Sequence, residues 1–172
     1  MKYLKLYELF SDKHIPFTLT GISDNFCKYS FVADDDKYDC IFSFSKTVRY
    51  WERFYYNSSR SDSMPYDEVN KNPYNIVSTI TNITIDFLNR FNPNILTIDH
   101  IYMDNEKFQK EKLNKRANIN YQYLKNYLTG YKIDYYNIFG STICLIYKEG
   151  FDYTNVLKSI NSDDDIYKIS LK

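Results

Sequence analysis

Hydrophobic and polar residues recur along this chain with two distinct periods. Near the start, Tyr3, Leu6, Tyr7 and Phe10 fall at i, i+3, i+4 and i+7, which predicts a short amphipathic helix over residues 2–11. Asp12 and Lys13 end it, and Pro16 opens an extended run, PFTLTGI. The period then drops to two. FCKYSFVA (26–33) and YDCIFSFS (38–45) read as strands joined by DDDK, and a four-residue turn makes paired positions sum to 71. In that register Cys27 faces Phe44, Tyr29 faces Phe42, Phe31 faces Cys40 and Ala33 faces Tyr38. Lys28, Ser30, Asp39 and Ser43 fall on the other face, the pattern of a half-buried antiparallel pair.

A third strand, TVRYWERFYY (47–56), carries Val48, Tyr50, Phe54 and Tyr56 on one face and Arg49, Trp51, Arg53 and Tyr55 on the other. Residues 57–74 are polar and read as the longest loop. Over 75–91 the helical period returns, with Ile76, Ile80, Ile83 and Phe87 in one line. Its many β-branched residues lower helix propensity, but 17 residues is long for a strand, so helix is expected, closed by Pro93. ILTIDHIYM (95–103) is apolar enough for a central strand. A helix is expected over 105–128, with Leu113, Ala117, Tyr121, Leu124 and Leu128 facing inward and Gly130 as its C-cap. YKIDYYNI (131–138) and STICLIYK (141–148) predict an antiparallel pair, and 152–172 a short helix and a last strand. The expectation is one α+β domain over 1–172, a mostly antiparallel mixed sheet with helices packed on it.

Composition narrows the classes of function. The 22 Lys plus Arg balance 22 Asp plus Glu, which argues against a chain built to coat nucleic acid or anionic membrane. No apolar run approaches the ~20 residues of a membrane span, and the first residues do not read as a secretory signal. With 19 Tyr and 12 Phe the chain has ample surface to bury. Asn, Ile, Lys, Tyr and Phe make 83 of the 172 residues, against two Ala and four Gly. That bias favours AT-rich codons and points to an AT-rich source such as a virus or low-GC bacterium.

Candidate chemistry is sparse. Cys27, Cys40 and Cys144 form no CxxC pair, and with only His14 and His100 beside them a structural zinc site is not expected. The hairpin register separates Cys27 from Cys40, so no disulfide is expected there. Asp99, His100 and Cys144 allow a Cys/His/Asp arrangement on paper, but no nucleophile turn flanks Cys144, and neighbours on a strand point to opposite faces. The acidic triplets at 34–36 and 163–165 lack calcium-loop spacing and read as solvated turns. Seven basic residues against three acidic ones between Asp104 and Lys132 read as a solvated helix face before a nucleic-acid surface. Arg49, Trp51, Arg53 and Tyr55 are of the types enriched at protein–protein contacts, and they are the candidate contact residues.

The expected order of helix, strand meander, helix, strand, helix and two strands resembles the N-acetyltransferase (GNAT-like) fold. The pieces VSTITNITIDFL, FNPNILTIDHIYM and NKRANINYQYLKNYLTGYKI, between Val77 and Ile133, also resemble a pattern in uncharacterised bacteriophage proteins. Asn114, Ala117 and Tyr121 echo that fold family's N-x-x-A-plus-aromatic feature. The family holds coenzyme A pyrophosphate on a glycine-rich turn before the helix that follows the meander. Here that position is DEVNKNPYNIVS (67–78), and no glycine occurs between Gly21 and Gly130. The resemblance therefore implies the fold without the coenzyme cradle. The resulting expectation is a non-enzymatic phage protein acting through protein contacts or self-assembly. It would be a virion component or an inhibitor or adaptor in the host cytoplasm, with no catalytic residue, metal or cofactor. A divergent acetyl-CoA-dependent N-acetyltransferase is the alternative.

Overall fold

The computed structural model describes residues 14–59, 73–101, 107–138, 140–160 and 166–171. Its strands are β1 (Phe17–Ser23), β2 (Phe26–Ala33), β3 (Asp36–Ser45), β4 (Tyr50–Asn57), β5 (Ile95–Ile101), β6 (Tyr131–Ile138), β7 (Ser141–Lys148) and β8 (Tyr167–Ile169). Helix α1 (Pro73–Phe91) lies between β4 and β5, α2 (Lys115–Leu124) between β5 and β6, and α3 (Thr154–Ile160) between β7 and β8. The strands hydrogen-bond in the order β1-β2-β3-β4-β5-β7-β6-β8, with β4 parallel to β5 and the sheet mostly antiparallel. The fold is α+β, as the alternation of periods implies. Its close contacts divide into two compact units, Met1–Ser43 with Phe54–Asn92, and Phe44–Arg53 with Pro93–Lys172. The helix expected over 2–11, most of the loop 57–74 and the acidic triplet 163–165 lie outside the described residues.

In the first unit, the β2–β3 hairpin keeps its expected faces but not its expected register. Cys27 pairs with Phe42, Tyr29 with Cys40, Phe31 with Tyr38 and Ala33 with Asp36, two residues from the register a four-residue turn imposes. The turn is only Asp34-Asp35, both with positive φ (50° and 69°), the conformation a two-residue hairpin loop demands. Asp tolerates that region better than most side chains, which is why the pair turns without a glycine. Cys27, Tyr29, Phe31, Tyr38, Cys40 and Phe42 are buried, and the three cysteines of the chain are free thiols.

Helix α1 closes over this face. Phe42 stacks on Phe87 at 3.8 Å between ring centroids, and the Tyr29 hydroxyl donates to Asp86 at 2.8 Å. The β-branched run forms a helix because its threonines satisfy themselves. Thr79, Thr81 and Thr84 donate to the carbonyls of Asn75, Val77 and Ile80, and all three are buried. Tertiary burial thus overrides the low propensity.

In the second unit, β7 lies between β5 and β6. One face carries Ile95, Ile143, Leu145 and Tyr136, which form a core cluster with Val156 of α3. The opposite face carries Ile98, His100, Thr142, Cys144, Tyr135 and Asn137 in register, with α2 alongside. The helix expected over 105–128 is shorter than its pattern suggested. It begins at Lys115, where Asn114 caps it by accepting from the Ala117 amide at 2.8 Å. Described residues before the cap are not helical, and the Asn137 amide donates to the carbonyls of Gln109 and Lys112, both at 2.7 Å. Those carbonyls are thereby taken up by a strand side chain. The helix ends at Leu124 with Lys125 as its cap, so Gly130, at φ 79°, serves the bend into β6 instead.

Candidate functional site

The four candidate contact residues separate. Strand β4 starts at Tyr50, so Arg49 belongs to the preceding turn, where it is exposed and left-handed at φ 63°. Trp51 is half-buried, its ring 5.3 Å from that of Phe44. Arg53 is only 4 % exposed. The face expected to be open at that position is interior. Tyr55 is half-buried and belongs to the first unit, whereas the other three belong to the second.

Arg53 enters the second unit's interior through the parallel pairing of Trp51, Glu52 and Arg53 with Leu96, Thr97 and Ile98. Ile98 is paired in turn with Cys144, and Cys144 with Tyr135, so Arg53 heads a row running across four strands. His100 lies two residues beyond Ile98 and is 7 % exposed. From α2 come Asn120, 3 % exposed, and Tyr121, whose ring stands edge-on to Tyr135 at 5.7 Å. Two side-chain atoms of these buried residues, His100 Nε2 and Asn120 Oδ1, have no hydrogen-bond partner, while the Tyr135 hydroxyl is hydrogen-bonded with the Cys144 thiol.

Electrostatics disfavour a thiolate in this interior. Burial pushes the Cys144 thiol up to about 12, and neither Tyr135 nor Arg53 offsets it enough to yield thiolate at neutral pH. Burial, then the charges of Arg53 and Arg116, hold His100 well below the usual histidine range, so it is neutral. Burial first, then the neighbouring Cys144, raises the Tyr135 phenol. Asp99 lies on the other face, where Ser141 hydrogen-bonds it. The Cys/His/Asp arrangement is therefore not assembled.

On that other face, Glu52 and Asp99 are exposed residues whose carboxyls are raised by surrounding protein, Glu52 further by the charge of Asp99. Asp134 behaves differently. It accepts from Tyr153 at 2.6 Å, Lys168 at 2.8 Å and Tyr147 at 2.9 Å. Burial alone would raise it, but those bonds outweigh burial and lower it.

The remaining candidates take local roles. Lys110 lies 4.4 Å from the Tyr167 ring, Lys125 5.3 Å from that of Tyr121, and Lys132 pairs with Glu149 at 2.6 Å. Asp36 accepts from Asn57 at 2.9 Å. Among the described residues no group of three or more His, Cys, Asp or Glu could hold a metal ion, and no helix is long and apolar enough to cross a membrane.

Sequence reasoning missed the role of the asparagines. Asn114 both caps α2 and donates to the His100 carbonyl, fixing the helix start to the end of β5. The N-x-x-A spacing was its only signal, and it was diluted in a chain with 17 Asn. No family model, no curated protein and no solved structure matches the chain.

Proposed function

We propose that this chain is a non-enzymatic bacteriophage protein that works by binding another protein, as a virion component or as an intracellular inhibitor or adaptor of the host. The observation that carries the reading is Arg49. Among the described residues, the other non-glycine positions with positive φ are Asp34, Asp35 and Asn92, types that tolerate it. Arg49 has no such allowance, yet it is held left-handed and exposed in the turn before β4, close in sequence to the half-buried Trp51 and its partner Phe44. Strain retained at an exposed arginine near an aromatic pair suits a contact surface. The AT-rich composition and the middle block similar to phage proteins support the viral source.

The test is affinity capture from infected host cells with the wild-type chain and with Arg49→Gly and Trp51→Ala. A partner retained by the wild type and lost from both variants, with each variant folded by circular dichroism, supports the reading. Identical protein sets from all three would remove the turn from it.

One observation favours the acetyltransferase alternative. The order β1-β2-β3-β4-α1-β5-α2-β6-β7 is compatible with a resemblance to that fold, and Ala117 and Tyr121 lie on α2 behind its cap Asn114. The lack of glycine between Gly21 and Gly130 stands against it. Saturable binding of acetyl-CoA by calorimetry, with transfer to an amine, would displace the contact reading.

A further inference from the structure

We propose that the outer stripe of α2, with Tyr127 just beyond its end, binds single-stranded nucleic acid. This inference is independent of the contact reading at Arg49. The zero net charge of the chain is the sum of unlike parts. Residues 112–133 hold five basic side chains, Lys112, Lys115, Arg116, Lys125 and Lys132, and no acidic one, so all 22 acidic residues but only 17 of the 22 basic ones lie elsewhere. Neutrality excludes a chain coated with positive charge, but not one that concentrates it on a single element. Lys132 pairs with Glu149, so the excess centres on α2 and the residues before it.

Helical periodicity sets part of this excess in one line. Lys115, Asn118, Gln122 and Lys125 stand at i, i+3, i+7 and i+10, and all four are exposed, while Ala117, Asn120, Tyr123 and Leu124 are buried. The ~1.5 Å rise per residue puts the backbones of Lys115 and Lys125 about 15 Å apart, so the two lysines engage different phosphates of one strand. Between them, the amides of Asn118 and Gln122 can donate to phosphate or pair with base edges. The Lys125 ammonium lies 5.3 Å from the Tyr121 ring, a contact that steadies the side chain and leaves its charge in place. Past the last turn, Tyr127 is 41 % exposed, and its ring stacks on that of buried Tyr123 at 5.4 Å and 25°. A tyrosine ring braced in this way is a platform for an unpaired base, whose stacking needs no sequence match. That platform selects a single strand. Duplex bases are already stacked on one another, and a run of carboxylates carries no flat ring for Tyr127.

The experiment is a fluorescence-anisotropy titration of a labelled oligothymidylate of about 20 nucleotides with the full chain. Saturable binding is expected, weaker by about tenfold in about 200 mM salt than in about 50 mM, the slope that two or three phosphate contacts give. Lys115→Gln combined with Lys125→Gln is expected to lose most of that salt dependence and about tenfold in affinity at the lower salt. Tyr127→Ala, folded by circular dichroism, is expected to weaken binding by about fivefold or more at either salt concentration. Lys158→Gln, exposed on α3, should bind as the wild type does. No binding at about 100 μM protein in the lower salt would overturn the proposal. So would a loss in Lys158→Gln as large as in the double variant. Polyglutamate displacing the strand as well as unlabelled oligothymidylate does would also overturn it, and would assign the stripe to an acidic protein.

Discussion

The Lys168 ammonium meets the Asp134 carboxylate at 2.8 Å, and this contact fastens the short strand β8 to β6 beyond what its three register pairs supply. The same carboxylate accepts from Tyr147 and Tyr153, so one acidic group ties β6, β7, β8 and the residue before α3. Asp134 is lowered in the folded chain, so its contribution is complete above the ordinary carboxylate pKa, about 4, and fades as pH falls below it. Asp39, lowered against burial by Lys28 and Ser30, adds to the same acid limb. Asp134→Asn should lose about 1–3 kcal/mol at pH 7. Urea unfolding should show a deficit that is constant from pH 7 to about pH 4 and shrinks as the pH falls further, and a deficit unchanged at still lower pH would contradict the linkage.

Asn114 holds two bonds of different kinds, accepting from Ala117 and donating to His100. Asn114→Ala should cost about 1–2 kcal/mol. Asn114→Asp keeps the acceptor and loses the donor, so it should fall between. Equal losses in the two variants would mean that the helix cap contributes little.

Relieving the left-handed arginine should stabilise the fold. Glycine adopts φ 63° without a Cβ clash, but loses more entropy on folding. The net gain for Arg49→Gly should be about 0.5–1 kcal/mol, read as a higher melting temperature. A lower melting temperature would show that the Arg49 side chain contributes to stability.

The thiols should be silent in the native state. Burial raises Cys144 to about 12 and Cys27 to about 11, and Cys40 is buried. Iodoacetamide at pH 8 should add nothing detectable by mass spectrometry until denaturant is present, and then three adducts. Fast labelling of native Cys144 would restore it as a candidate nucleophile.

Much of the architecture was legible in local periodicity. Alternation in β2 and β3 identified the buried face correctly even though the register was displaced by two, because a strand repeats its faces every two residues and such a slip is invisible to face assignment. The turn was what failed, since Asp34 and Asp35 adopt positive φ without the glycine that normally announces it. Helix α1 was legible from Ile76, Ile80, Ile83 and Phe87 despite its β-branched residues. Why it tolerates them lies in the buried hydroxyls of Thr79, Thr81 and Thr84.

By itself, then, the sequence determined which residues alternate, the order of the described helices and strands, and that the class is α+β, because these follow from contacts a few residues apart. Only the tertiary structure decided that Arg53 lies inside, since alternation places a residue on a face without saying what covers that face. Only it shortened α2, because Asn137 takes the carbonyls before the cap from more than twenty residues away. And only it set Ile98, Cys144 and Tyr135, each ordinary in its own segment, in one row across three strands. Such long-range pairings carry no periodic trace along the chain, since the residues that meet come from separate elements of the fold.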